Sequence, residues 1–131
     1  MALGFGQYVE KSTTTPRIKE LLKRVQREGA TDPEDIMLII MDVLKEDALY
    51  PEVGKFYTFV YNPKTYGIEY DQHPLIACTD IQRWGFRGEN FHWGKSRNYT
   101  WAEVAGKLYS VKYNELDELL SLQYGKFRLN K

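Results

Sequence analysis

Residues 55–61, Lys-Phe-Tyr-Thr-Phe-Val-Tyr, carry large side chains on both sides of an extended segment, and no other stretch constrains the fold as much. Successive side chains of a strand point to opposite faces. Tyr57, Phe59 and Tyr61 therefore share one face while Phe56, Thr58 and Val60 share the other. Such a strand has to be covered twice. The chain from here to Trp101 continues in short apolar runs between turn residues, and it holds all three tryptophans (Trp84, Trp93, Trp101), both histidines (His73, His92) and the only cysteine, Cys78. Residues 62–65, Asn-Pro-Lys-Thr, read as a turn. Strands are expected over 66–70, over 75–78 behind Pro74, and over 81–86. Residues 87–89 read as a turn into 90–93, with Gly85 and Gly88 as bends or positive-φ positions. Short strands at this spacing predict a small antiparallel sheet curled toward a barrel.

The flanks read as helices. Thr15 suits an N-cap, Pro16 a first helical position and Gly29 a left-handed C-cap, while Ile18, Leu21, Leu22 and Val25 form one apolar stripe. A second helix starts at Thr31 or Asp32 with Pro33 in its first turn. Its run over residues 36–41 is apolar nearly all round, so its cover is either the sheet with the first helix or another chain. Thr100 and Glu103 have capping-box spacing and predict a helix from Trp101, kept short by Gly106. A last strand over 110–113, a helix over 115–122 capped by Asn114, and an extended aromatic and basic tail over 124–131 complete the reading. Residues 1–12 are expected to form an extended arm. The fold class is α+β, one domain by length, in three stretches: an arm and two helices (1–54), a barrel-like core (55–112), and a C-terminal helix and tail (113–131).

Formal net charge is zero, so no overall field draws the chain to nucleic acid. The charges are nevertheless segregated: residues 11–28 carry six basic and two acidic side chains, residues 32–52 seven acidic and one basic. Two mutually attracting helix faces explain this, or two faces that meet different partners. The longest apolar run, 36–41, is far below the roughly 18 residues of a membrane span. Residues 1–20 have no pattern of a secretory leader, and a lone cysteine suits a reducing compartment.

Asp71, His73 and His92 are the residues that could seat a metal, but their spacing matches no defined motif and they read as polar anchors of turns and strand ends. Cys78 lies in an apolar run and reads as a small buried hydrophobe. Asn90 can tie a loop to neighbouring backbone. Neither a nucleophile elbow nor a phosphate-binding glycine pattern is present, so neither catalysis nor a cofactor is expected. Arg83, Arg87, Lys95 and Arg97 interleave with Trp84, Phe86, Phe91, Trp93 and Tyr99, and on one face such a set would stack bases and hold phosphates.

The series Tyr57-x-Phe59-x-Tyr61-x-Pro63-Lys64, Tyr70-Asp71-x-x-Pro74-Leu75 and Gly85-Phe86-x-Gly88-x-Asn90-Phe91-His92-Trp93, with Arg97, resembles a pattern in small structural proteins of large contractile-tailed bacteriophages and cyanophages. The resemblance spans about 45 residues and leaves residues 1–54 unmatched. It implies a non-enzymatic virion subunit of tail, baseplate or neck, assembled in the host cytoplasm, with an SH3-like curled barrel that docks other subunits or further copies of itself. Partner contacts are then expected at Arg87, Trp93, Arg97, Tyr124, Phe127 and Arg128. A nucleic-acid-binding phage protein, using the arginine and aromatic face, is the alternative.

Overall fold

Thr15 caps helix α1 (Pro16–Glu28) by accepting the Ile18 N–H at 3.3 Å, and Gly29 ends it at φ 66°. The computed structural model describes residues 15–45, 47–48 and 50–131; the arm expected over residues 1–12 lies outside them. Ile18 and Leu21 are fully buried, with Leu22 and Val25 packed beside them. Helix α2 (Pro33–Leu44) is capped by Asp32, which accepts the Glu34 N–H at 2.8 Å. Its Ile36, Met37, Ile39, Ile40 and Leu44 share a core with α1 and with Leu75 and Val111 of the sheet. Its apolar surface is thus covered within the chain, except at Leu38, which is 59% exposed. Arg24 of α1 reaches Asp42 of α2 at 2.5 Å, so the segregated charges do attract each other across the pair.

The strands are β1 (Asp47–Ala48), β2 (Phe56–Tyr61), β3 (Glu69–Asp71), β4 (Leu75–Gln82), β5 (Gly85–Asn90), β6 (Ser96–Thr100), β7 (Val104–Val111) and β8 (Phe127–Leu129), with a short helix α3 (Leu116–Ser121) before the last. Six form an antiparallel sheet in the order β1-β7-β2-β4-β5-β6, and β3 pairs with β8 in a second, small one. The architecture is α+β with a curled sheet, as expected. Phe59 of β2 and Tyr99 of β6 are three strand spacings apart, roughly 14 Å in a flat sheet. Their ring centroids are 5.2 Å apart, and Tyr61 and Tyr99 are 4.8 Å apart, which requires the sheet to roll over its own face. No ladder joins β6 to β1 among the described residues, so the roll stays open.

The alternation read from β2 holds. Tyr57, Phe59 and Tyr61 enter the inner aromatic core with Ile76, Cys78, Phe86, Tyr99 and Leu108, while Phe56 and Val60 pack toward the helices. Elsewhere the elements differ from expectation. Residues 81–86 are not a strand: β4 runs through to Gln82, and Arg83-Trp84 turn the chain into β5. Arg87-Gly88-Glu89 lies inside β5, and neither Gly85 nor Gly88 has positive φ. Close approach explains both glycines, since a Cβ at Gly85 would sit 2.0 Å from the Tyr99 carbonyl oxygen and one at Gly88 would sit 2.9 Å from Ile76 Cδ1. The helix expected from Trp101 is a single 3₁₀ turn, Trp101–Glu103, and β7 follows at once. Glu103 does not cap a helix. Its carboxylate accepts the Lys64 N–H at 2.6 Å and the Thr100 hydroxyl at 2.8 Å, tying the corner to the Asn-Pro-Lys turn. The strand expected over 110–113 is the end of β7, and a 3₁₀ turn (Tyr113–Glu115) replaces Asn114 as the lead into α3.

Gly85→Ala is expected to destabilise the fold by roughly 3 kcal/mol, because the methyl group meets backbone that cannot yield without parting β5 from β6. Urea denaturation checks this; a loss under about 0.5 kcal/mol contradicts the close packing.

Candidate functional site

Asp71 ends β3 with 2% of its surface exposed, and both of its oxygens are engaged. Oδ1 accepts the backbone N–H groups of His73 at 3.0 Å and Lys126 at 2.9 Å. Oδ2 accepts the Asn90 amide at 3.0 Å and the His92 ring at 3.1 Å. Because a carboxylate only accepts, His92 carries its proton on Nδ1. Asn90 Oδ1 accepts the His92 N–H at 2.6 Å and the Trp93 N–H at 3.3 Å, which is the backbone-tying role read from the sequence. His73 donates from Nδ1 to the Tyr124 carbonyl at 3.2 Å, and the Tyr124 hydroxyl donates to Thr58 Oγ1 at 3.1 Å.

Asp71, His73 and His92 thus come together as a cross-link. The histidines serve different acceptors, and no group of three His, Cys, Asp or Glu among the described residues is placed to hold a metal. Cys78 lies in the aromatic core, its thiol pushed up by burial, with the Asp80 carbonyl as its polar neighbour at 3.8 Å.

Burial alone would push the Asp71 carboxyl up. The hydrogen bonds from His92, Asn90 and the Lys126 backbone outweigh it and hold the group below the ordinary range. Burial is the largest effect on His73 and lowers it, against the Tyr124 carbonyl and the charges of Glu34 and Asp71, which favour the protonated ring.

Of the expected contact residues, the structure gathers Trp93, Arg97 and Phe127. The Trp93 and Phe127 rings lie 5.1 Å apart, with Lys95 Nζ 5.4 Å and the Arg97 guanidinium 5.7 Å from the Trp93 ring. Arg97 also donates to the Glu69 carbonyl at 2.5 Å, which fixes its position on the ring. Phe127 is half exposed. Arg128 neighbours this ridge but is bonded to Gln72 at 3.0 Å. Tyr124 is no surface contact: it is fully buried and anchors the tail. Arg87 is remote in a structural sense, bonded to Asn98, and it stands on the opposite face of the β5–β6 ladder from Arg97, which pairs with Gly88. Phe86 and Tyr99 are interior. The residues of the nucleic-acid reading are therefore not on one face.

Sequence reasoning missed Glu115, which is fully buried. It accepts Arg17 through both oxygens at 2.7 and 2.8 Å, the Thr15 hydroxyl at 2.6 Å and the Lys112 N–H at 2.8 Å. Burial would raise its carboxyl, but these donors bring it below the ordinary range. The chain matches no protein-family model, no curated protein and no solved structure.

Asp71→Asn turns an NH₂ toward two donors whichever way the amide faces, and is expected to cost roughly 2–4 kcal/mol. In the unaltered chain the lowered His73 value means that the unfolded state takes up the proton first, so stability falls as pH drops through about 6.5. The lowered Asp71 value gives a second loss as pH falls below about 4. Urea midpoints measured across this range should show both losses, with the second one smaller in Asp71→Asn. A profile flat between about pH 7 and pH 5 contradicts the His73 assignment.

Proposed function

We propose that the chain is a non-catalytic structural subunit of a tailed-phage virion, acting in the tail, baseplate or neck by docking neighbouring subunits. The observation that carries this reading is the Trp93–Phe127 ridge, an aromatic pair in which Phe127 is half exposed and Trp93 partly buried, with Lys95 and Arg97 over the Trp93 ring. Aromatic and arginine side chains on a rigid base are the usual anchors of protein interfaces. The base here is rigid for a physical reason. Arg97 stands on β6, Phe127 stands on β8, and the Asp71 cross-link ties β8 to the end of β5. The ring pair then meets a partner with little ordering cost, because it is ordered already.

The polar side chains of the Asp71 cluster support the same reading. Asp71, His73 and His92 bond to backbone and to each other, while His92 Nε2 is buried without a hydrogen-bond partner. The resemblance over residues 57–97 gives the virion context, and Trp93 and Arg97 of the ridge lie at its end.

Peptide mass spectrometry with copy-number calibration, on virions purified from the phage that encodes the chain, tests the proposal. A fixed number of copies per particle is expected, and a multiple of three or six points to tail or baseplate symmetry. Absence from virions with abundance in infected cells contradicts it.

A further inference from the structure

Strand β8 is fastened at both ends and bare along one edge. Lys126, just before it, donates its N–H to Asp71 at 2.9 Å, and Asn130, just after it, donates from its side-chain amide to the carbonyls of Pro63 at 3.1 Å and Thr65 at 2.6 Å. Between these ties Phe127, Arg128 and Leu129 are all exposed, so the fold gains little burial from a strand it holds firmly. The backbone of the strand is used on one side. The Gln72 N–H donates to the Lys126 carbonyl at 2.6 Å, and the Asn130 N–H donates to the Ile68 carbonyl at 2.9 Å. In the antiparallel register Asp71 faces Phe127 and Glu69 faces Leu129, and bonded and non-bonded pairs alternate. Lys126, Arg128 and Asn130 therefore turn their backbone groups toward β3, and Phe127 and Leu129 turn theirs away from it. No strand lies on that outer edge among the described residues. An unpaired edge is a template for another strand, and neither a proline nor a bulge blunts this one.

We propose that β8 takes an extended segment of a different protein chain as an added strand, one in which apolar and acidic residues alternate. Alternation across a sheet supplies the pattern: residues of the added strand opposite Phe127 and Leu129 share their apolar face, and a residue opposite Arg128 shares the other face. Arg128 is bonded to the neutral Gln72 at 3.0 Å and has no carboxylate partner among the described residues. Residues 126–131, Lys-Phe-Arg-Leu-Asn-Lys, hold three basic side chains and no acidic one, and Lys95 and Arg97 lie over the Trp93 ring beside Phe127. An acidic strand is attracted by these charges and a basic one is repelled. A second copy fits less well, because antiparallel pairing of β8 with itself over its length sets Arg128 against Arg128. A single-stranded nucleic acid would meet the cations, but its phosphates only accept and leave the outward carbonyls of Phe127 and Leu129 unpaired. The inference deepens the docking reading and rests on it for the existence of a partner.

The test is an NMR titration of the purified full chain, followed through its backbone amides, with an N-acetylated and C-amidated peptide that alternates valine and glutamate over about eight residues, enough to span the strand. Because it needs no virion, its failure is distinct from absence of the chain from particles. Peptides alternating valine with glutamine and valine with lysine, and an oligothymidylate of the same length, are the comparisons. Saturable shifts are expected at Phe127 and Leu129, with slowed exchange of both N–H groups. Binding should be about threefold to fivefold weaker for the glutamine peptide and absent for the lysine peptide. Arg128→Glu should reverse the order of the glutamate and lysine peptides. Leu129→Pro removes an outward N–H and no bond to β3, so it should weaken binding about fivefold relative to Leu129→Ala, which keeps that N–H. If Leu129→Pro does not fold, Arg128→Glu decides alone. An unchanged order in Arg128→Glu, equal binding by folded Leu129→Pro and Leu129→Ala, shifts centred away from β8, or no saturation each overturns the proposal. Tighter binding of the oligothymidylate overturns it in favour of nucleic acid, and concentration-dependent shifts at β8 without peptide overturn it in favour of a second copy.

Discussion

One carboxylate holds three separate parts of the chain in register. Asp71 takes hydrogen bonds from the turn after β3, from Asn90 at the end of β5, from His92 just beyond it, and from the backbone of Lys126 in the tail. A buried charge is tolerable only when its lone pairs are satisfied, and here they are. The consequence is architectural. The tail cannot leave its place without stripping the Lys126 N–H and the Tyr124 carbonyl from buried partners: Asp71 loses Lys126, and His73 loses its acceptor. Tyr124 then stays inserted beneath it, and Phe127 stays against Trp93.

A second buried carboxylate repeats the device at the other end of the fold. Glu115 grips Arg17 and the N-cap of α1, so the first helix is fastened to the turn before α3 across almost the whole chain. Glu103 does the same on a smaller scale between the 3₁₀ corner and the Asn-Pro-Lys turn. Between these fasteners the sheet separates two kinds of packing: rings edge-on to rings on its inner face, aliphatic helix contacts on its outer face. The carboxylates of Asp71, Glu103 and Glu115 are thus bound up in construction.

Local signals made the helices legible, since Thr15, Pro16 and Gly29 act at short range and mean the same in any fold. The faces of β2 were legible because alternation survives any context. Position 103 misled because a glutamate three residues after a threonine has the pattern of a helix start, while the corner uses that glutamate to reach a turn far away in sequence. Gly85 and Gly88 misled for a related reason: the need for glycine came from neighbouring β6 and β4, and a contact across strands leaves no local trace. At the site, Asp71, His73, His92 and Asn90 were recognisable as anchors, and Trp93, Arg97 and Phe127 as surface candidates. Tyr124 read as surface because an aromatic in a basic tail carries no mark of burial. Lys126 contributes to Asp71 through its backbone N–H, which no side-chain pattern can reveal.

Hydrogen exchange at the Lys126 and His73 amides is the most direct measurement of whether Asp71 is the structural cross-link. Both N–H groups donate to its Oδ1, and a cross-link on which the tail depends predicts that they exchange only with global unfolding, at a free energy equal to that of the core strand β2. Exchange of Lys126 well below that limit, while β2 remains protected, would show the tail opening by itself and would contradict a structural Asp71.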